Sequence, residues 1–322
     1  MLRVFAAVYG LIFGSLFNVC IYRIPLGLSI VRPRSHCFAC GAQVAWIDNI
    51  PLLSYLLLGG RCRHCKTRFS PRYFLVEALT AAMFVLVFET FGLSWATPFY
   101  IAFASLLMIA SFTDLDHWII PDGISWGGLA LGLIFALTPF AHEPASRIAN
   151  AGPFGGSSYF VPFYNAFAGA AFGYLILWFI GVVGTAIFHK EAMGMGDMKL
   201  FAFVGAFVGM LNCVFALGIA CVVGATVGLT LIGVAKWRRG QVTIEITDDA
   251  TVESLLPASA RREGDPMAVR EAEALRQLLK KPIAPPPSRH HLPFGPFLAL
   301  GALVVLLYES QLNAIVMRYF AL

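Results

Sequence analysis

The residues best suited to metal binding in this chain are four cysteines arranged as two C-x-x-C pairs. Cys37 and Cys40 form the first pair, Cys62 and Cys65 form the second, and 21 residues separate the two pairs. Two such pairs are typical of a tetrahedral zinc site, in which four thiolates bind the ion at about 2.3 Å. Because four protein ligands leave no open coordination position, we expect a structural zinc ion. A redox pair or unliganded cysteines are the alternatives.

Acid–base chemistry is indicated by a few carboxylates that interrupt apolar segments. Asp114, Asp116 and Asp122 lie in one short interruption, which also contains His117, and Asp197 follows Gly194-Met195-Gly196. Two carboxylates at one site share a proton, so one activates a water while the other protonates a peptide carbonyl. The glycines before Asp197 would allow a positive φ and the close approach of another backbone, which an extended substrate needs.

The same acids have two other interpretations. A carboxylate at a helix N-terminus is stabilising without any catalytic role, which is the simpler interpretation of Asp122 after Pro121. Ionisable groups in membrane segments also serve ion or proton translocation. The residue types alone do not decide between translocation and proteolysis.

The composition predicts that membrane helices position these residues. Of the 322 residues, 58% are hydrophobic and 13% are charged, and the mean hydropathy is +0.75. These values exclude a water-soluble globule, a disordered chain and a secreted disulfide scaffold. Apolar segments of membrane-spanning length predict an all-α polytopic protein with about eight transmembrane helices. The predicted spans are 4–22, 73–91, 95–112, 123–140, 161–188, two short helices within 200–234 that meet near Asn212, and 294–307.

The basic residues predict the orientation of the chain. The segments 23–72, 189–199 and 236–291 hold 20 of the 23 Lys and Arg residues. Cytoplasmic loops of membrane proteins carry such an excess, so we expect these three segments to be cytoplasmic. Eight spans then place both termini outside and put Asp114 and Asp197 at cytoplasmic ends of helices.

Taken in order, the motifs resemble those of the type IV prepilin leader peptidases, bifunctional membrane aspartic proteases of the GxGD type. The resemblance rests on blocks along nearly the whole chain: 14–25, the two cysteine pairs around 49–51 and 60–61, 72–77, 114–117 with 121–122, 194–199 and 293–296. It implies cleavage of the leader of type IV prepilins, or of type II secretion pseudopilins, after a glycine at the cytoplasmic membrane face. It also implies N-methylation of the new N-terminal residue, with S-adenosylmethionine as methyl donor.

By motif position, the resemblance implies that Asp114 and Asp197 are the catalytic aspartates, and no catalytic role is carried over to Asp116, Asp122 or His117. The cysteine-bearing segment belongs to the methyltransferase part of the family, so we expect methylation to be retained. The residues that bind the methyl donor are not identified by the motifs. Expected partners are prepilin or pseudopilin substrates and the lipid bilayer, without nucleic acid, in the bacterial cytoplasmic (inner) membrane.

We therefore predict five parts along the chain. They are a first transmembrane helix (1–22), a cytoplasmic zinc-binding, methyltransferase-associated domain (23–72), a transmembrane aspartic protease core (73–235), a cytoplasmic insertion with an amphipathic helix (236–292), and a last transmembrane helix with the C-terminus (293–322). The alternative function is a proton-coupled transporter with a zinc-bound cytoplasmic domain, which predicts acids near the bilayer midplane and inverted repeats. A zinc scaffold without catalysis would leave the Gly-x-Gly-Asp sequence unexplained.

Overall fold

The computed structural model describes residues 1–143, 146, 153–155, 158–191, 193–237 and 293–320. These residues are mainly helical, and they contain no β-strand beyond the isolated bridges His36–Gln43 and Arg61–Arg68. The helices are α1 (Leu2–Arg23), α2 (Leu53–Leu57), α3 (Pro71–Phe91), α4 (Thr97–His117), α5 (Asp122–Ala136), α6 (Val161–Phe188), α7 (Met195–Val208), α8 (Met210–Trp237) and α9 (Gly295–Phe320). The predicted all-α fold is confirmed. Nearly all of the predicted insertion lies outside the described residues.

Five of the described helices are long and apolar enough to cross a bilayer: α1, α3, α4, α6 and the Met210–Leu231 part of α8. Two further apolar helices, α5 and the first part of α9, are shorter. Helix α7 has only 14 residues, or about 21 Å, against a hydrocarbon core of about 30 Å. The chain is therefore a multi-pass membrane protein, but the predicted number of eight spans is not confirmed.

The break between α7 and α8 lies at Gly209, so the turn predicted near Asn212 was misplaced. Gly209 has a φ of 79°, a backbone conformation that glycine adopts without steric cost. Asn212 instead lies inside α8, where its side-chain amide donates to the Val208 carbonyl and to Glu309 Oε1, both at 2.9 Å. A buried asparagine thus does not mark a turn here, because its hydrogen bonds are satisfied within the helical core.

The chain divides into two compact units, one of Met1–Ala82 with Gly228–His291 and one of Met83–Val227 with Leu292–Leu322. In the first unit, α1 packs directly against the backbone of the first half of α3. A Cβ on Gly10 would lie 2.6 Å from Ala81 Cα, and one on Gly14 would lie 2.7 Å from Glu77 Cα. Small residues allow two membrane helices to approach this closely.

In the second unit, a layer of buried aromatic rings packs α4, α5 and α7 together. The rings of Phe103 and Phe207 lie 4.6 Å apart, and those of Phe103 and Phe203 lie 5.2 Å apart. Helix α6 crosses α7 so closely that a Cβ on Gly205 would lie 2.1 Å from the Gly169 carbonyl oxygen. These contacts fix the position of α7, whose first turn carries Asp197.

Candidate active site and metal centre

Asp114 lies one turn before the end of α4 and is buried, with 6% of its surface exposed. The helix ends at His117. The next residue, Trp118, has a positive φ of 55° and donates its backbone N–H to the Asp114 carbonyl at 2.9 Å. The side chain is held separately, because the backbone N–H of Gly295 donates to Asp114 Oδ2 at 3.1 Å. The end of α4 and the start of α9 therefore orient this carboxylate.

Asp197 lies in the first turn of α7 and is half-buried. Its carboxylate is close enough to Asp114 for a Coulombic interaction between the two groups. The side chain of Ile120, a residue between α4 and α5, lies between the start of α7 and the start of α9. A Cβ on Gly196 of α7 would lie 3.2 Å from this side chain, and a Cβ on Gly295 of α9 would lie 3.1 Å from it. The structure thus brings the two acids to one cluster at the ends of four helices of the second unit.

The glycines before Asp197 do not have the positive φ that the sequence suggested. Gly194 has φ −73° and ψ 143°, and Gly196 is helical. A Cβ on Gly194 would meet only an ordinary 3.6 Å contact with Asp197, so neither backbone strain nor crowding excludes a side chain there. The close approach of a substrate backbone stays a prediction, because the nearest atoms to a Cβ on Gly196 belong to the Ile120 side chain, at 3.2 Å. A Cβ on Gly295 would be more crowded, since it would lie 2.6 Å from Asp114 Oδ2.

The other acids of the first motif, Asp116 and Asp122, are more exposed to solvent than Asp114 and Asp197. Asp122 is the first residue of α5, and its exposed carboxylate accepts a hydrogen bond from Lys199 Nζ at 2.7 Å. Asp116 is exposed and His117 is half-buried. The ion pair gives Lys199, the last residue of the second motif, a structural role. Sequence reasoning missed both this pair and the Gly295 donor, although the Pro-Phe-Gly-Pro sequence that contains Gly295 was a signal.

The four paired cysteines converge in the first unit. Their Sγ atoms all lie within 4.8 Å of one another; Cys37 and Cys65 are 3.7 Å apart, and Cys40 and Cys62 are 4.0 Å apart. A tetrahedron of thiolates around zinc has sulfur–sulfur distances of about 3.8 Å, so the arrangement fits such an ion. All four are free cysteines, which excludes a disulfide in this structure. The cluster could therefore bind a metal ion.

Each cysteine pair lies in a small turn closed by one of the isolated bridges, and the two turns differ electrostatically. Burial raises the pKa of the Cys37 thiol to about 11, whereas hydrogen bonding with Thr67 lowers the pKa of Cys65 to about 6. A bound cation would favour the thiolate form of Cys37. Arg63 of the second turn donates through its guanidinium to the carboxylate of Asp48, which lies between the two turns, and lowers the pKa of Asp48.

Comparison with known proteins places both sites in one family. Residues 8–91, with all four paired cysteines, match the Bacterial Peptidase A24 N-terminal domain, and residues 101–229, with both aspartates, match the Type IV leader peptidase family. No solved structure matches the chain.

Similar proteins from three bacteria carry the name prepilin leader peptidase/N-methyltransferase. The Myxococcus xanthus protein is 37% identical over 331 residues, covering 98% of this chain and 92% of the relative. The Klebsiella pneumoniae protein is 38% identical over 62% of this chain and 82% of its own, and the Neisseria gonorrhoeae protein is 33% identical over 73% and 83%. Because the similarity extends over nearly the full length of both chains, this chain is a member of the prepilin leader peptidase/N-methyltransferase family.

Proposed function

We propose that this chain is a membrane aspartic endopeptidase that removes the leader of type IV prepilins, or of type II secretion pseudopilins, after a glycine at the cytoplasmic membrane face. It then methylates the new N-terminal residue with S-adenosylmethionine. Family membership supports both activities, because the relatives carry both in their names. The observation that carries the peptidase assignment is the meeting of Asp114 and Asp197 at the ends of α4 and α7.

Hydrolysis of a peptide bond needs one group that takes a proton from water and another that gives a proton to the carbonyl oxygen. Two neighbouring carboxylates supply both, because their repulsion favours a state with one shared proton. The ionised carboxylate removes a proton as the water oxygen bonds to the carbonyl carbon, and the protonated carboxyl donates to the carbonyl oxygen. When the intermediate collapses, the C–N bond breaks and the leaving nitrogen takes up the proton that came from water.

The surroundings of Asp114 support this role. Its burial limits access of bulk water, and the hydrogen bond from the Gly295 N–H fixes the direction of the carboxylate. Fixed orientation matters because acid–base catalysis requires hydrogen-bond distances to the reacting atoms. Asp197, taken as a whole residue, is more exposed than Asp114.

We propose that zinc is the metal of the four-cysteine cluster, bound by Cys37, Cys40, Cys62 and Cys65. Sulfur-only tetrahedral sites select zinc or iron–sulfur chemistry, and a closed site of this size fits a single zinc ion. With all four positions taken by protein, the ion supplies cross-linking of the two turns rather than a reactive water.

The placement in the cell follows from charge. We propose that the chain lies in the bacterial inner membrane with the cysteine segment and the aspartate cluster on the cytoplasmic side and both termini outside, because basic residues favour the cytoplasm. This agrees with a substrate whose basic leader stays in the cytoplasm. A transporter would need its acids near the bilayer midplane, whereas Asp114 and Asp197 lie at helix ends.

Cleavage of a purified prepilin by the protein in detergent micelles tests the peptidase assignment. We expect Asp114→Asn and Asp197→Asn each to lower kcat by about 10²-fold or more, the range of general acid–base catalysis. Asp116→Asn is the matched control, since Asp116 is an exposed acid on the same helix end. Full processing by either variant of the pair would overturn the assignment.

A further inference from the structure

The first unit contains a cavity of about 180 Å³ that neither the peptidase site nor the cysteine cluster uses. Every residue that lines it belongs to this unit and to the matched N-terminal domain. The walls are the last turns of α1, both cysteine turns, α2 and the first turns of α3. The cavity is not fully enclosed, so a molecule larger than its volume can extend outward.

The walls carry charges of both signs. Glu77 is held at the wall by the Leu52 N–H, which donates to its Oε2 at 2.8 Å. Asp48, whose side chain is only 9% exposed, adds a second carboxylate. Arg61 adds a cationic side chain, while Arg23 is buried and donates to the Ser29 carbonyl at 2.9 Å. A half-buried carboxylate in a cavity wall is suited to a cationic or hydrogen-bond-donating ligand.

The same walls are rich in aromatic rings. Tyr22 packs edge-on against Phe38 at 5.3 Å, and Tyr55 packs against Phe74 at 5.6 Å. Tyr22, Phe38, Tyr55 and also Tyr73 line the cavity. Aromatic faces attract both cations and flat heterocyclic rings. The cavity therefore offers binding groups for a ligand with a cationic centre, an aromatic ring, hydroxyls and a carboxylate.

We infer that this cavity binds the methyl donor, S-adenosylmethionine. Glu77 and the aromatic walls receive its cationic sulfonium and amine, and Arg61 receives its carboxylate. Asp48, whose charge Arg63 already balances, accepts hydrogen bonds from the ribose hydroxyls. The inference rests on the proposed methyltransferase function. Each charged or polar part of this donor finds a partner of opposite character among these residues.

The four-cysteine cluster lies next to this cavity, because residues adjacent to Cys37 and Cys62 form part of its walls. Cys37 is followed by Phe38 and preceded by His36, and Cys62 is preceded by Gly60 and Arg61, all four of which line the cavity. The metal ion would join the two turns and so hold both walls at a fixed separation. Gly60 allows this wall to approach closely, since it has a φ of 65° and a Cβ there would lie 2.7 Å from the Tyr55 ring.

The transfer step balances without a further reagent. The neutral N-terminal amine of the cleaved substrate forms an N–C bond to the methyl carbon as the S–C bond breaks, and the electron pair stays on sulfur. The sulfonium becomes a neutral thioether, and the amine nitrogen releases one proton to water. Only the amine must be uncharged for this attack, because its lone pair forms the new bond.

Two matched pairs of variants test the assignment by binding rather than by turnover. Arg61→Met is compared with Arg68→Met, an exposed arginine of the same cysteine turn, and Glu77→Gln with Glu89→Gln, an exposed glutamate of the same helix. Neither control residue lines the cavity. Isothermal titration calorimetry with S-adenosylmethionine measures Kd for the protein in micelles, and photolabelling with the methyl-tritiated donor locates the bound molecule. Metal content and thermal unfolding report whether each variant is folded.

We expect Arg61→Met and Glu77→Gln to raise Kd about tenfold or more, while the two controls stay within a factor of about two. The label is expected in peptides from 15–77. Wild-type affinity in both cavity variants, or a label elsewhere in the chain, would overturn the cavity while leaving the proposed function intact. If the wild type neither binds the donor nor methylates cleaved substrate, the methyltransferase half of the proposed function falls as well.

Discussion

Replacing Gly295 with alanine tests whether the observed orientation of Asp114 is the catalytic one. A Cβ at this position would lie 2.6 Å from Asp114 Oδ2 and 3.1 Å from Ile120 Cδ1. The φ of Gly295 lies outside the left-handed region, so alanine introduces no backbone strain. The N–H that donates to the carboxylate is retained. The substitution therefore acts on position alone.

The size of the effect follows from the distance. Because ordinary van der Waals contact begins at 3.4 Å, the carboxylate oxygen must retreat by about 0.8 Å. Misplacement of a catalytic group by about 1 Å can cost up to about 10²-fold in rate. We expect kcat/KM for cleavage to fall about 10- to 100-fold, or about 1.4 to 2.7 kcal/mol of transition-state stabilisation. Thermal stability should change little, since the short side chain can move.

Initial rates of prepilin cleavage in micelles measure this effect, and methyl transfer to an already cleaved peptide provides a second readout of the same sample. The control is Gly127→Ala in α5, where a Cβ would meet no atom within 4 Å. The proposed catalytic orientation of Asp114 is refuted if Gly295→Ala cleaves at the wild-type rate. It is equally refuted if both activities fall together with the unfolding temperature, because the change then acts on folding.

Three further predictions concern the metal, the helix crossing and the surface ion pair. Cys37→Ser combined with Cys62→Ser should remove the bound metal and abolish methyl transfer, because metal binding contributes about 10–16 kcal/mol to the folding of small zinc domains. Unchanged metal content, measured by atomic emission, would contradict the zinc cluster. Gly205→Ala should destabilise the second unit by about 1–3 kcal/mol, because its Cβ would lie 2.1 Å from the Gly169 carbonyl oxygen. Thermal unfolding measures this loss, and Gly218→Ala is the control, since a Cβ there meets no atom within 4 Å. Lys199→Met breaks an ion pair with a carboxylate that is 66% exposed, so the free energy of unfolding should change by less than about 1 kcal/mol, and a larger loss would show a role beyond the pair.

The long apolar segments were predictable because a membrane-spanning helix needs only local hydropathy and length. The span predicted at 161–188 coincides with α6, Val161–Phe188. The short helices were harder to place, because α7 is buried by its neighbours and its end at Gly209 depends on one residue's φ rather than on polarity. Local hydropathy does not distinguish a buried short helix from half of a long span.

The sequence motifs predicted Asp114, Asp197 and the four cysteines as site residues, because carboxylates and paired cysteines are rare in an apolar chain. The spacing of these residues along the chain does not determine the distances between them in the folded protein. The tertiary structure alone shows that the cysteine sulfurs converge within 4.8 Å and that Gly295, 181 positions from Asp114, donates to its carboxylate. It also shows that the glycines before Asp197 do not have a positive φ and that Gly295 is the glycine packed tightly against Asp114. Residue chemistry is a local property that the sequence determines, whereas the orientation of a carboxylate depends on helices that meet only after packing.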